Sequence, residues 1–319
     1  MPSARRIDVH THMIPDFYRQ AAIDAGAVPA QGRYPNWSPE LALKMMEAND
    51  IATLITSVAY PGFLFGSRDE AAKLARRCNE FAVEIGEKWA GRFGGFASLP
   101  IQDPFELDRG CEEIAYALDT LKMDGVMLFA SYGEKFLGDP AFDPLMEELN
   151  RRGAVVFIHP TYHPNSKKID LPFPGFLVEY LFDTTRAAVN MLYADTLGRY
   201  PDIKFILAHA GGTLPYISWR VAVSPTIDRR LPQWSIDEVY AKLRLFWYDT
   251  ALSPTASTMG SLREVAAPDR ILFATDWPMA GETGTVESVR NLDALDMSPE
   301  RHAAINRGNA LRLFPKYAR

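Results

Sequence analysis

Two histidines, His10 and His12, stand two apart in the run IDVHTHMIP, with Asp8 two residues before the first. If this largely apolar run is a strand, residues two apart share a face, so all three side chains project into one space. Three polar groups on an inward face need a common partner, and a metal ion that takes neutral imidazole and carboxylate is one. A strand end carrying two solvated histidines is the other reading of this stretch alone. The same residue types recur along the chain: His159 in AVVFIHP, His209 in KFILAHAG and Asp276 in ILFATDWP, each at the end of a β-branched or aromatic run. Four of the six histidines belong to this set, which points to a metal site. The other two do not: His302, in an amphipathic C-terminal stretch, reads as a surface residue, and His163, in the loop after the fifth strand, as a solvated loop residue first and a substrate contact second.

These residues need elements to bring them together. Eight short apolar runs, at 5–12, 52–58, 92–100, 124–130, 154–160, 204–211, 245–251 and 271–278, alternate with helical patterns at 38–50, 69–90, 106–121, 143–153 and 176–200. Eight strands alternating with helices predict an α/β protein of the (β/α)8 TIM barrel type, whose strands are covered on both faces. A nucleotide-binding open sheet would show a glycine-rich first turn, and THMIPDF has no glycine. The long connections 13–37, 60–67, 131–140 and 161–175 all follow the C-terminal ends of predicted strands, the face on which barrels assemble active sites. No repeat or low-complexity stretch divides the chain. We therefore expect one domain over 1–319, with insertions at about 13–37 and 161–175 and a closing helix in SPERHAAINRGNALRLFPKYAR.

Composition narrows the partners. A hydrophobic fraction of 47% and a charged fraction of 23% suit a globular protein, and no apolar run is long enough to span a membrane. A net charge of −6 without a basic stretch argues against nucleic acid, leaving a small molecule as the expected partner. The start, MPSARRIDVHTH, lacks the apolar segment of a signal peptide, so a cytoplasmic protein is expected. Cys78 and Cys111 have no CxxC spacing and read as buried thiols.

The motifs HTH, FIHP, LAHAGG and ATDWP, in this order on strands one, five, six and eight, resemble the amidohydrolase-related branch of the amidohydrolase superfamily. That branch includes aminocarboxymuconate semialdehyde, gamma-resorcylate and 6-methylsalicylate decarboxylases. The wording GFASLPIQDP, GVMLFASYG, LAHAGGTLPYISWR and FWYDTA is most similar to the last type. The resemblance implies that His10, His12, His159 and Asp276 bind one divalent metal, zinc before manganese, and that His209 is the catalytic histidine beside it. DGVMLFASYG has no lysine to bridge two metals, and Lys122 precedes the strand, so a mononuclear site is favoured over the hydrolytic type. Asp8 stands where some members have a ligating Glu, and its shorter side chain suits it to orienting an imidazole or a water. Arg220, in LPYISWR, matches an arginine that binds substrate carboxylate, a task that suits a planar fork of donors. Phe63, Phe129 and Trp277 either line a pocket for a flat ring or are ordinary packing.

The implied activity is non-oxidative decarboxylation of a small hydroxylated aromatic or muconate-like acid, with Asp276 as proton donor to the ring carbon and His209 acting on a substrate oxygen or a water. A hydrolase of an ester, lactone or amide, and a hydratase, would use the same metal. A purely metal-binding protein would need neither the extra histidine nor the arginine. We also expect a homodimer or higher homo-oligomer.

Overall fold

The computed structural model describes residues 5–166 and 172–318. Eight parallel strands form one sheet in chain order: β1 Arg6–His12, β2 Ile51–Ser57, β3 Phe93–Ala97, β4 Gly125–Phe129, β5 Val155–His159, β6 Lys204–Leu207, β7 Trp247–Asp249 and β8 Ile271–Leu272. The chain just past β8 returns to β1 and closes the barrel. Val9 N–H donates to the Phe273 carbonyl (3.1 Å), Asp276 N–H to that of His10 (2.8 Å) and His12 N–H to that of Trp277 (2.8 Å). The seam of the (β/α)8 barrel thus runs through three of the residues that motivated the metal reading. Strands such as β4 (GVMLF) and β5 (VVFIH) are buried along their whole length, as expected for parallel strands covered by helices.

The helices described are α1 Asp16–Asp24, α2 Pro39–Ala48, α3 Arg68–Lys88, α4 Asp108–Ala115, α5 Asp143–Arg151, α6 Glu179–Tyr193, α7 Thr196–Arg199, α8 Leu214–Ile227, α9 Ile236–Leu243, α10 Ala256–Val265 and α11 Gly281–Asp293. The single helix expected over 176–200 is interrupted. Asp195 takes a left-handed conformation (φ 51°), and Lys242 of α9 meets its carboxylate at 2.6 Å, so a tertiary contact accompanies a break that no glycine or proline marks. The expected closing helix runs without a break from Pro299 to Leu313, widened by one looser turn at Ala304–Gly308.

The C-terminal segment seals the end of the barrel opposite the histidines. Arg6, at the start of β1, donates to Asn306 (3.1 Å) and pairs with Asp293, while Tyr317 and Lys316 both reach Asp124, just before β4, at 2.9 Å. The opposite end carries the long loops. Residues 13–37 hold α1, and 131–140 hold a small hairpin pairing Ser131–Tyr132 with Lys135–Phe136. Of the predicted insertion 161–175, residues 167–171 lie outside the described residues, as do residues 1–4 of the N-terminal stretch. Both cysteines are free thiols, Cys78 buried and Cys111 half-buried. No helix among the described residues is long and apolar enough to cross a membrane.

Candidate metal centre and active site

The strand ends bring His10, His12, His159 and Asp276 together, with one ligand atom of each lying within 4.8 Å of all the others. His10 Nε2 is 3.2 Å from His12 Nε2 and 3.3 Å from Asp276 Oδ1, which is 3.0 Å from His12 Nε2. Donor atoms bound tetrahedrally at about 2.0–2.2 Å from an ion stand about 3.3–3.6 Å apart, so the cluster is close to the size such an ion requires. The outer ring nitrogens are engaged elsewhere. His10 Nδ1 faces Asp249 Oδ2 (2.7 Å), His12 Nδ1 faces Ser57 Oγ (3.1 Å) and His159 Nδ1 faces the Pro160 carbonyl (2.7 Å). A carbonyl only accepts, so His159 carries its hydrogen on Nδ1 and turns the Nε2 lone pair inward. Asp276 Oδ1 is buried with no hydrogen-bond partner among the described residues, although His12 Nε2 is near. The four donor atoms are gathered in one buried place. This set fits a divalent cation.

The electrostatics agree with that fit. Burial works against the charge on Asp276, but His10, with contacts from His12 and His209, holds its carboxyl well below the usual carboxylate range. Burial lowers the imidazole of His12 and pushes that of His159 well below its ordinary value, leaving both neutral, the form that ligates. Burial also opposes charge on His10, yet Asp249 and Asp276 raise it to about 10. A cation held there would take the place of that proton.

His209 follows β6 in an unusual stretch of backbone: His209, Ala210, Gly211 and Gly212 all have positive φ (53°, 55°, 77° and 68°). A Cβ on Gly212 would lie 2.2 Å from the Leu181 carbonyl oxygen, so the last position admits only glycine. The reversal aims the imidazole back at Asp276, with Nε2 3.6 Å from Oδ2. Asp276 therefore presents Oδ1 to the cluster and Oδ2 to His209. The Nδ1 of His209 is buried without a partner among the described residues, while the His209 backbone N–H donates to Asp249 Oδ1 (2.8 Å). Asp8 is not part of the four-residue cluster. It accepts the Thr275 hydroxyl (2.6 Å) and the N–H groups of Thr275 (3.2 Å) and His10 (3.1 Å), tying β1 to the seam.

The aromatic surroundings only partly follow expectation. Phe129 is in place, its ring centroid 6.3 Å from that of His159. It rests on Gly62, where a Cβ would fall 2.6 Å from the ring. Tyr60, Tyr162 and Tyr180 continue this wall, with successive centroids 5.3 and 5.1 Å apart and Tyr180 6.0 Å from His159. None of the three was singled out in the sequence. Phe63 turns away instead, packing edge-on against Tyr18 of α1 at 5.7 Å and bordering an outer groove between α1 and α3. Trp277 is buried, with its backbone in the barrel seam. Arg220 lies exposed on α8, its guanidinium without an ion-pair partner among the described residues. His163 is not solvated as expected: it is 7% exposed and stacks flat on Phe136 (4.8 Å, 4°), because the hairpin after β4 folds over it. His302, expected at the surface, is half-buried, with Nε2 3.1 Å from the Leu295 carbonyl.

Asp183 of α6 ties two mouth loops together, accepting the Ser131 hydroxyl (2.9 Å) and the Thr161 N–H (2.8 Å). Burial raises its carboxyl to about 7 against the pull of those bonds. Because the folded protein keeps this proton where the unfolded chain loses it near pH ~4, the stability it contributes is full below that point and is lost as pH rises to about 7. Urea unfolding of metal-free protein should therefore show wild type losing roughly 1–3 kcal/mol more than Asp183→Asn across that window. Parallel curves for the two proteins would contradict this account of Asp183.

Residues 7–316 match the amidohydrolase family. The chain is 38% identical over 314 residues to the 6-methylsalicylic acid decarboxylase of Penicillium expansum, covering 98% of this chain and 96% of that protein. Its fold is similar to a crystal structure of an amidohydrolase II, at a TM-score of 0.88 and 30% identity over 97% of this chain and 99% of that one. A dihydroxybenzoic acid decarboxylase from Polaromonas sp. JS666, solved with manganese and the inhibitor 2-nitroresorcinol, shares the fold at a TM-score of 0.81 and 22% identity, over 97% and 96% of the two chains.

Proposed function

We propose that this chain, which belongs to the amidohydrolase family, is a metal-dependent non-oxidative decarboxylase of small hydroxylated aromatic acids, its substrate a 2-hydroxybenzoate with a small apolar group beside the carboxylate. The observation that carries the reading is the division of Asp276, with one oxygen in the three-histidine cluster and the other facing His209 beside an aromatic wall. His10, His12, His159 and Asp276 would hold the ion, which when bound supplies the Lewis acidity that gathers negative charge on the carboxylate and the ortho oxygen. The protein's own groups then handle the proton. His209 passes one from solvent to Asp276 Oδ2, and Asp276 delivers it to the ring carbon that bears the carboxylate. The ring loses its aromaticity at that carbon. The bond to the carboxylate then breaks, its electron pair restores the ring, and CO2 leaves. One solvent proton replaces one carboxylate, so the step balances. The wall of Phe129, Tyr60, Tyr162 and Tyr180 suits a flat ring, and Trp277 flanks the seam.

Three nitrogens and one carboxylate oxygen suit zinc, with manganese second. We read the whole chain as one domain of a cytoplasmic protein. A homodimer or higher homo-oligomer is supported by α8, where Tyr216, Trp219 and Ile227 are 85%, 61% and 77% exposed along one helical stripe with Arg220. Covered by a second copy, that face would shield Arg220 and allow it to bind the substrate's carboxylate.

Elemental analysis of the purified protein should find about one ion per chain, and 6-methylsalicylate, 2,6-dihydroxybenzoate and their relatives should be screened for CO2 release. Release from the alkyl-substituted acids supports the reading. Hydrolysis of simple esters or lactones without CO2 from any acid, muconate semialdehydes included, would move the assignment to a hydrolase.

A further inference from the structure

We propose that Asp249 is the positioning residue that couples the metal centre to the acid–base histidine, one of its oxygens setting the tautomer of His10 and the other holding the backbone of His209. The inference rests on the reading of the cluster as a metal site. Asp249 ends β7, between β6 and β8, and is fully buried. Its Oδ2 lies 2.7 Å from His10 Nδ1, while its Oδ1 accepts two backbone N–H groups, from His209 (2.8 Å) and Ala251 (3.0 Å).

Each contact constrains something the site needs. A carboxylate at Nδ1 places a hydrogen there, and a neutral imidazole with its hydrogen on Nδ1 offers Nε2 as the ligating lone pair. That Nε2 is the atom 3.2–3.3 Å from His12 and Asp276. His10 has little freedom to adjust otherwise, since its ring is wedged between Phe157 (4.8 Å) and His209 (5.0 Å). The second contact acts on backbone. β6 ends at Leu207, and His209 opens the run of four residues with positive φ, a conformation that is strained for a non-glycine residue. Asp249 Oδ1 takes the N–H at the first residue of that run. One rigid carboxylate therefore fixes a ligand nitrogen and the aim of the imidazole that faces Asp276 Oδ2.

Asp249→Asn separates this role from a structural one. The isosteric amide can still accept the His209 and Ala251 N–H groups with its oxygen, but it then turns an NH2 toward His10 Nδ1. That arrangement favours the tautomer with hydrogen on Nε2, which points into the cluster. Competition with a chromophoric chelator, using Zn2+ and in parallel Mn2+, should show Asp249→Asn binding 10–100-fold more weakly than wild type, while its metal-free circular dichroism stays unchanged. In zinc-loaded wild type labelled with 15N-histidine, His10 should show a protonated Nδ1 and a metal-shifted Nε2, a pattern missing from Asp249→Asn. At saturating metal, Asp249→Asn should retain more kcat than Asp249→Ala, which also releases the His209 backbone, with KM changing less than kcat. A wild type that binds and an Asp249→Asn that binds as tightly, with the same His10 spectrum, would overturn this inference and leave the metal reading standing. A wild type that binds neither ion would overturn both. If Asp249→Ala does not fold, affinity and spectrum of Asp249→Asn decide.

Discussion

Replacing His10 and His12 together by alanine is expected to remove the metal and at least about a thousandfold of the decarboxylase rate in one step. A Lewis acid contributes several kcal/mol to stabilising developing charge, and two of the four donors would be gone. The two losses have different neighbours. Removing His12 frees only the Ser57 hydroxyl at its outer nitrogen, whereas removing His10 leaves Oδ2 of the buried Asp249 carboxylate without its imidazole partner. His12→Ala alone should therefore stay folded and lose metal affinity, while the double variant should also unfold at lower urea. Elemental analysis, CO2 assays and urea titration check this set. An undiminished metal content in the double variant would contradict the assignment of these ligands.

His209→Ala has the second largest expected effect, and in a different pattern: metal content unchanged and kcat reduced roughly a hundredfold to ten-thousandfold. The imidazole is not among the four donors that converge, and its Nε2 faces the oxygen of Asp276 that lies away from the cluster. Alanine can occupy the same left-handed backbone at no greater strain, so the turn should survive. Metal lost along with activity would make His209 a ligand. Metal retained with normal kcat would take it out of the chemistry.

What could be read in advance divides along physical lines. The barrel strands were legible because parallel strands covered on both faces are near-continuous apolar runs, and histidines at the ends of such runs have no packing reason to be there. His10, His12, His159 and Asp276 follow from that contrast, and their convergence needs only the barrel. The partners that orient them do not. Asp249 is 239 residues from His10 in sequence, and FWYDTA looks like any strand that ends in an aspartate. Tyr60 and Tyr162 lie in mouth loops and Tyr180 on α6, and they form a wall only because those segments fold toward one another. Phe63 and Phe129 show the same limit from the other side. Both are aromatic residues at or beyond strand ends, and only the turn at Gly62 sends one outward while supporting the other beside His159. Arg220 is pointed to by the family resemblance of LPYISWR, and that resemblance does not say that the helix face carrying it is exposed in a single chain. His163 looked solvated because its burial depends on Phe136, brought over it by a hairpin with little apolar pattern of its own.

The most direct test of the central claim is where the solvent proton goes. Metal-loaded enzyme turning over 6-methylsalicylate in deuterated water should give a phenol carrying one deuterium at the carbon that lost CO2, with CO2 released in equal amount, as seen by NMR and mass spectrometry. Acid consumed without CO2, or a product without deuterium at that carbon, would contradict the account.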